Sequence, residues 1–297
     1  MSTFTLCTLH HETQTITNKP FFSATIDLTS PQDLFTIPKN QHHTMPENGT
    51  ISHHIKNNVS TIEFFHPKGN SLPGKLLKEL TEKITEASES ADSNVIVIKS
   101  GGDGAFCAGA SFDELLAITN LDEGKEFFMG FANVINAMRK SKKFIIARVH
   151  GKVVGGGIGI AASADYVFAH SSASVKLSEL AVGIGPFVVG PAVGRKIGVG
   201  AFTALSVDAR SWYSAEWALS NSLYSKVFDS MKELDSSLEK LAGEISTSNP
   251  QAMTELREIQ WNGTGHWGPT LEQRAEISGR LVLSDFTRTF IEEFKKK

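Results

Sequence analysis

Two loops of small residues hold the backbone groups with the clearest chemical use in this sequence. The runs are FCAGA at 106–110 and VGGG at 154–157, and each follows an apolar stretch and opens a helical pattern. Unbonded N–H groups at a helix start attract an oxygen that gains negative charge, and small side chains let a ligand come close to them. Neither loop has the Gly-Lys-Ser/Thr ending of a phosphate loop or the spacing of a dinucleotide site. The pair therefore predicts a site for a developing oxyanion, whereas either loop alone fits a simple tight turn equally well.

Glu179 is the candidate proton carrier of this site. It follows a short predicted strand and lies in the otherwise apolar run LSELAVGI at 177–184. In such surroundings desolvation raises the pKa of a carboxyl group toward the range that suits general acid/base catalysis. The alternative that the residue type and position leave open is a surface glutamate at the end of a strand.

Three other polar or reactive residues near these segments are interpreted as structural. His150 ends a predicted strand, where a histidine is more often a hydrogen-bonded structural group than a catalytic one. Asp165 is expected to hold a buried backbone turn. Cys107 has no recognisable histidine partner, so we interpret it as a small apolar residue and not as a nucleophile.

The elements that position these residues repeat one order, a strand, a glycine loop and a helix. The predicted strands are 59–65, 95–98, 144–147, 166–169 and 175–177, and the predicted helices are 76–87, a segment that begins near Phe112, and 158–164. This repetition indicates stacked αβ units. After Ala201 the pattern is helical, and the last helix carries an apolar stripe that includes Phe286, Phe290 and Phe294 and needs a partner surface.

The chain divides into three predicted parts: a flexible extension at 1–55, a core at 56–228 and a helical subdomain at 229–297. The extension is rich in Thr, Asn, His and Pro and holds six of the ten histidines as three adjacent pairs, His10–His11, His42–His43 and His53–His54. No cysteine or acidic cluster lies at ligand spacing around these pairs, so we predict no metal site.

Composition excludes several classes of function. A formal net charge of -3 gives no broad basic field, so we expect no nucleic-acid partner. No apolar run approaches the roughly 20 residues that span a bilayer, and no signal or transit pattern is seen, so we expect no membrane partner. The two cysteines, Cys7 and Cys107, lie far apart in unlike surroundings, which favours a reducing compartment and hence the cytoplasm.

Several segments, in this order, resemble the hallmark blocks of the enoyl-CoA hydratase/isomerase (crotonase) superfamily. The blocks are FCAGA at 106–110, VHGKVVGGG at 149–157, AD at 164–165 and LSELAVGI at 177–184. The resemblance spans roughly Val59 to the C-terminus. It implies an α/β fold, a crotonase-like spiral of ββα units with a helical C-terminal oligomerisation subdomain, and a homotrimer or a dimer of trimers.

The resemblance also implies roles for individual residues. The amides of Ala110 and Gly156 form the oxyanion hole for an acyl-CoA thioester, and Glu179 is the catalytic glutamate. The CoA moiety contacts backbone near the first loop, which points to Ala108 and Phe112. The other residues expected to bind the substrate are Gly109, Gly155 and Gly159. No cofactor is implied, because coenzyme A is part of the substrate.

Two positions depart from the family pattern. Many hydratases carry a second glutamate where this chain has Gly159, which we expect to leave room for water or a bulkier acyl chain. One carboxylate can shuttle a proton between the α and γ carbons, which slightly favours double-bond isomerisation over hydration of a 2-enoyl-CoA. Hydroxycinnamoyl-CoA hydratase-lyases of the same superfamily also use one glutamate at the later position, so hydration stays open. Asp113 replaces a basic residue that often faces the CoA phosphates.

Two further alternatives remain on this evidence. The first is another crotonase reaction, such as decarboxylation or hydration followed by retro-aldol cleavage. The second is a non-catalytic acyl-CoA-binding subunit, which the loss of an acid at Gly159 allows. Retention of Glu179 argues against the second alternative.

Overall fold

The computed structural model describes residues 48–296, which contain eight strands and eleven helices. The strands are β1 (Thr50–Lys56), β2 (Val59–Phe65), β3 (Val95–Ser100), β4 (Phe144–Val149), β5 (Val153–Val154), β6 (Tyr166–His170), β7 (Val175–Lys176) and β8 (Lys226–Phe228). The helices are α1 (Gly74–Glu89), α2 (Phe112–Ala117), α3 (Leu121–Lys140), α4 (Gly156–Ser163), α5 (Glu179–Val182), α6 (Gly190–Val207), α7 (Ala215–Ser220), α8 (Met231–Ser246), α9 (Pro250–Gln260), α10 (Trp267–Val282) and α11 (Asp285–Lys295).

A six-stranded sheet forms the centre, in the order β1-β2-β3-β4-β6-β8. Only β1 is antiparallel to its neighbour in this sheet, and the other strands are parallel. Strand β3 is apolar on both faces, as expected for a parallel strand that is covered on both sides. The sheet and the helices that connect its strands confirm the predicted α/β class.

The two faces of the sheet pack against different helices. On one face Ile96 and Ile98 of β3 belong to the large core that includes α1, α3 and α4. On the other face Val95 and Val97 pack against Leu234 of α8. Because side chains alternate along a strand, one run of β-branched residues supplies both cores.

Helix α10 crosses α3 at a point where both helices carry a glycine. A Cβ added to Gly124 would lie 2.7 Å from the carbonyl oxygen of Gly279, so the two backbones meet directly.

All residues that the structure describes fall within one compact unit. The predicted division at residue 229 therefore marks a change from strands to helices and does not separate two units.

The predicted N-terminal extension is partly wrong. Residues 50–55 belong to β1, an edge strand whose Thr50 pairs with Phe65 and whose Lys56 pairs with Val59. His53 accordingly lies in the sheet, with its Nε2 2.6 Å from Ser60 Oγ. Residues 1–47 of the predicted extension, with two of the three histidine pairs, lie outside the described part of the chain.

Two features that would point to further partners are absent from residues 48–296. These residues contain no group of three or more His, Cys, Asp or Glu side chains arranged to hold a metal ion. They also contain no helix with the length and apolar character needed to cross a membrane.

Asp165 ties the sheet to the C-terminal helices. Its Oδ2 accepts hydrogen bonds from the backbone N–H of Ile145 at 2.7 Å and from Nε of Arg257 at 2.8 Å, and its Oδ1 accepts one from Trp261 Nε1 at 2.9 Å. The guanidinium of Arg257 also donates to the carbonyl oxygens of Met138, Arg139 and Ser141. The interpretation of Asp165 as a structural residue is confirmed.

Candidate active site

A narrow backbone ladder joins four segments that are distant in sequence. Strands β5 and β7 pair in parallel, with Val153 opposite Val175. Isolated bridges extend this pair on both sides, from Cys107 to Val153 and from Val175 to Tyr213. Val154 N donates to the carbonyl of Cys107 at 2.8 Å, and Tyr213 N donates to that of Val175 at 2.9 Å. The two glycine loops are therefore held side by side by hydrogen bonds.

The backbone N–H groups of Ala110 and Gly156 lie just beyond this ladder. A Cβ added to Gly109 would stand 3.9 Å from Gly156 N, which shows how closely the loops approach. Within residues 48–296 neither N–H donates a hydrogen bond to another group. Gly156 opens helix α4, where the first N–H groups cannot bond within the helix. Both residues line the same cavity, so two unbonded donors are available to one ligand.

Close packing of small residues keeps the two loops in this position. Gly155 adopts φ 52° and ψ -118°, a conformation that a residue with a side chain rarely takes. A Cβ on Gly157 would lie 2.7 Å from Cβ of Cys107, so the second loop needs a glycine there. Cys107 is fully buried, and burial raises the pKa of its thiol to about 12. The thiol is thus protonated at neutral pH, in line with its interpretation as a small apolar residue.

Glu179 is the first residue of α5, three residues after β7. Its Oε2 is buried and has no hydrogen-bond partner in the part of the chain that the structure describes. Burial raises the pKa of Glu179 to about 7, while the hydrogen bond from its own backbone N–H acts in the opposite direction. A carboxyl group with that pKa can both accept and return a proton near neutral pH.

These groups line a cavity of about 600 Å³. Its inner wall is apolar and comes from α3 and from the segment before α6, with Phe128, Phe131 and Val189 among the lining residues. Phe294 of α11 lines the outer part, where its ring meets Phe112 edge-on at a centroid distance of 5.2 Å. Phe290 and Phe294 of the C-terminal apolar stripe thus lie at the cavity, whereas Phe286 lies outside its wall and is 63% exposed.

The cavity brings together seven of the eight site residues that the sequence predicted. These are Ala108, Gly109, Ala110, Phe112, Gly155, Gly156 and Glu179. Asp113 also lines the cavity and forms an ion pair with Lys68. His150 does not line it; Nδ1 of this buried side chain lies 3.2 Å from Arg148 Nη1, and Arg148 pairs with Asp235.

The structure corrects the expectation for Gly159. It is absent from the cavity wall, and a Cβ at this position would lie 2.6 Å from Cγ1 of Val189 and 3.0 Å from its Cβ. The space beside Gly159 is therefore filled by Val189, which itself lines the cavity. Gly159 leaves no room for water or for a longer acyl chain.

The sequence argument missed several cavity residues. They are Lys68, Phe128, Phe131, Lys176, Val189, Arg210, Trp212, Phe290 and Phe294. Lys176 lies on the short predicted strand that precedes Glu179, and Phe290 and Phe294 belong to the apolar stripe of the last helix, but none of the three was predicted at the site. Arg210 and Trp212 come from a distant segment that the bridge between Val175 and Tyr213 brings to the ladder.

A fold of this kind, with paired glycine loops and one glutamate at a single cavity, defines the crotonase class. A family model described as enoyl-CoA hydratase/isomerase matches residues 54–280, so the chain belongs to that family. It is 29% identical over 197 residues to a short-chain-enoyl-CoA hydratase of Clostridium acetobutylicum, which covers 66% of this chain and 74% of that protein. It is 28% identical over 241 residues to a carnitinyl-CoA dehydratase of Escherichia coli, covering 80% and 88%.

A solved structure supports the fold assignment. The enoyl-CoA hydratase from Bacillus halodurans superposes with a TM-score of 0.76, covering 82% of this chain and 99% of that one at 20% identity. At that identity the likeness shows the fold alone.

Proposed function

We propose that this chain is an enzyme that acts on acyl-CoA thioesters through an enolate. The N–H groups of Ala110 and Gly156 donate hydrogen bonds to the thioester oxygen, and Glu179 transfers the proton. One observation carries the proposal: two unbonded backbone donors from adjacent loops and an unbonded, buried carboxyl oxygen line one cavity.

The chemistry follows from charge that develops on the thioester oxygen. Removal of a proton from the α or γ carbon creates an enolate oxygen, and each preorganised donor to such an oxygen contributes about 2.7–4 kcal/mol in enzymes where one has been removed. Glu179 as the carboxylate takes the proton and as the acid returns it. The apolar wall excludes water from the reacting carbons and so strengthens both hydrogen bonds.

The number of carboxyl groups favours isomerisation of the double bond over hydration. In the part of the chain that the structure describes, the carboxyl groups that line the cavity belong to Glu179 and Asp113, and Asp113 is paired with Lys68. Val189 fills the space at the position where many relatives carry a second acid. One carboxyl group is sufficient to move a proton between two carbons of the same substrate.

Hydration of a 2-enoyl-CoA is the second candidate. It is favoured by the names of the relatives, a hydratase and a dehydratase, and by the pKa of Glu179 near 7, which suits activation of a water molecule. Other crotonase reactions and silent acyl-CoA binding are the remaining outcomes of the test.

The test uses 2-enoyl- and 3-enoyl-CoA thioesters in heavy water, with mass analysis of the products. Isomerisation interconverts the two thioesters and only exchanges or moves hydrogen, whereas hydration adds the mass of water to the 2-enoyl substrate. Glu179→Gln should abolish either reaction, and Glu239→Gln, on an exposed face of α8, is the matched control. A wild-type protein that binds both thioesters and changes neither would refute the proposal.

We further propose a homotrimer or a dimer of trimers. Apolar side chains on α6 and α9 are exposed in the single chain, with Val199 77% and Ile259 72% exposed, which favours a covering subunit. Light scattering of the purified protein measures the mass directly, and a monomer at micromolar concentration would refute this assembly.

A further inference from the structure

One hydroxyl group interrupts the apolar inner part of the cavity. It belongs to Ser278 of α10, which lines the cavity although the residue is only 1% exposed. Within residues 48–296 this hydroxyl group makes no hydrogen bond, a property that it shares with Oε2 of Glu179. The hydroxyl group of Ser100 is also unbonded, but Ser100 does not line the cavity. Ser278 therefore offers a free hydrogen-bonding group to a ligand in the cavity.

Other buried serines of the helices use their hydroxyl groups within the protein. Ser163 Oγ donates to the carbonyl oxygen of Gly159 at 2.8 Å, and Ser246 Oγ donates to that of Gly243 at 2.9 Å. Such a carbonyl, about one turn earlier, is the usual partner of a serine inside a helix. A buried hydroxyl group that leaves this partner unused is costly, and the cost is recovered when a ligand supplies the hydrogen bond. The unbonded state of Ser278 thus indicates a binding role.

Helix α3 indicates how far Ser278 lies from the proposed oxyanion donor. Near one end of α3, Gly124 meets Gly279, the residue after Ser278. Farther along, the Phe131 ring meets Gly156, because a Cβ on Gly156 would lie 2.1 Å from Cε1 of that ring. A helix rises 1.5 Å per residue, so these two contacts lie on the order of 10 Å apart along α3. Ser278 therefore faces the distal part of a bound acyl group and not the thioester.

The surroundings of Ser278 favour an uncharged polar group. In the described part of the chain, the residues that line the cavity from α3 and from the segment between α5 and α6 are uncharged, with Phe128, Phe187 and Val189 among them. A charged group placed there would lose its hydration without gaining a counter-charge. The hydroxyl group of Ser278 can donate as well as accept, so it matches a hydroxyl or a keto oxygen.

We infer that Ser278 is a specificity-determining residue that binds an uncharged oxygen on the distal part of the acyl group. The substrate class is then an enoyl-CoA whose acyl group is apolar next to the thioester and bears a hydroxyl or keto oxygen several carbons farther along. This inference rests on the proposed function, because it concerns the same substrate in the same cavity. Ser278 takes no part in proton transfer, which stays with Glu179.

The test compares pairs of linear enoyl-CoA thioesters that differ only in a terminal methyl or hydroxyl group. The wild-type protein should prefer the hydroxylated member, measured as a ratio of kcat/KM values, and Ser278→Ala should lower this ratio about tenfold. The preference should peak at one chain length, because the Ser278 hydroxyl group has a fixed place on α10. A keto oxygen at the same position should be preferred as well, because Ser278 can donate to it.

Stability separates this role from a structural one. Because Ser278 Oγ makes no hydrogen bond in the protein, Ser278→Ala should keep the wild-type Tm. The matched control is Ser246→Ala, at a buried helical serine outside the cavity wall. It removes a hydrogen bond, so it should lower the Tm and leave the ratio of kcat/KM values unchanged. A lower Tm with an unchanged ratio in Ser278→Ala would assign Ser278 to helix packing and overturn the inference.

The outcomes distinguish this inference from the proposed function. A wild-type protein that turns over both members of every pair with equal kcat/KM overturns the inference alone. If the wild-type protein binds the thioesters and turns over none, the proposed function fails. The Kd values of the same pairs, measured by calorimetry, then still test the binding role of Ser278. Ser278→Cys, which keeps the side-chain size and hydrogen-bonds weakly, gives the same comparison if the alanine variant fails to fold.

Discussion

The carboxyl group of Glu179 lies directly against the backbone of Gly155. A Cβ added to Gly155 would stand 3.2 Å from Oε1 and 3.6 Å from Oε2 of Glu179. Gly155 immediately precedes Gly156, whose N–H is one of the two unbonded donors of the cavity. The proposed proton carrier and the proposed oxyanion donor are therefore held together through one peptide unit. A change that displaces one of these groups is expected to displace the other.

The pH dependence of turnover is expected to report the pKa of Glu179. Because burial raises this pKa to about 7, kcat/KM for proton removal should rise with pH and level off above about pH 7. Glu179→Gln should lower kcat by roughly 10²–10⁴-fold and remove this inflection. Stopped-assay rates between pH 5 and 9 measure both effects. An inflection that persists in Glu179→Gln would assign it to another group.

The same pKa predicts a stability change. In the unfolded chain Glu179 loses its proton near its ordinary pKa of 4.5, whereas the folded protein holds that proton until about pH 7. The folded state therefore binds more protons between these values, and its stability falls as pH rises through that window. Glu179→Gln should show no difference near pH 4 and a gain of up to about 3 kcal/mol above pH 7. Urea unfolding at several pH values measures this gain, and a gain that is constant with pH would contradict the raised pKa.

The contact between Gly159 and Val189 predicts how a second acid can be introduced. Gly159→Glu alone should destabilise the protein by about 1–3 kcal/mol, because even the added Cβ would lie 2.6 Å from Val189. Gly159→Glu combined with Val189→Ala should recover part of this loss and raise the ratio of hydration to isomerisation. Val189→Ala is the control for the cavity that the second change creates. Full stability of the single variant would show that the space beside Gly159 is open.

The buried ion pair of Asp165 and Arg257 predicts a loss of stability without a loss of substrate binding. Asp165→Asn should cost about 3–5 kcal/mol, because the guanidinium of Arg257 is left buried without its counter-charge. The matched change Asp235→Asn, at a half-exposed ion pair with Arg148, should cost no more than about 1 kcal/mol. Thermal unfolding measures both values. Equal losses in the two variants would contradict the special role of Asp165.

The ring of Phe294 predicts a binding effect at the outer part of the cavity. Phe294→Ala removes the edge-on contact with Phe112, so KM for the enoyl-CoA should rise several-fold while kcat changes little. Leu256→Ala, an exposed apolar residue on α9 outside the cavity wall, is the control. A fall in kcat at unchanged KM would place Phe294 in the chemical step and contradict this interpretation.

The parts of the fold that local pattern determines could be predicted from the sequence. The run of β-branched residues at 95–98 predicted strand β3, and the two glycine loops predicted where helices α2 and α4 begin. These signals could be used because hydrophobic periodicity and glycine content are local properties of a few neighbouring residues. Strand β1 was not predicted, because His53, His54 and other polar residues in it hide the alternation of a strand. Such a composition is possible because β1 lies at the edge of the sheet, where few apolar side chains are needed.

The site residues also differ in whether a local sequence pattern could predict them. Ala110, Gly156 and Glu179 lie within runs that resemble the blocks of the crotonase superfamily, and it is this resemblance that predicted one common site for them. Trp212 meets Lys176 only through a backbone bridge between distant segments, and no short-range pattern predicts such a bridge. The filling of the space beside Gly159 depends in the same way on Val189, which approaches it only in the folded chain.

The links of Arg257 to Asp165 and to three backbone carbonyls have a consequence for synthesis on the ribosome. Strand β4 and the end of α3 leave the ribosome long before α9 does, because translation proceeds from the N-terminus. Until Arg257 emerges, the carboxylate that holds Ile145 lacks its counter-charge and the carbonyls at the end of α3 lack their donor. A nascent chain that stops before α9 therefore lacks the hydrogen bonds that Arg257 makes to Asp165 and to the end of α3. The sheet reaches its final stability only once the last third of the chain has been made.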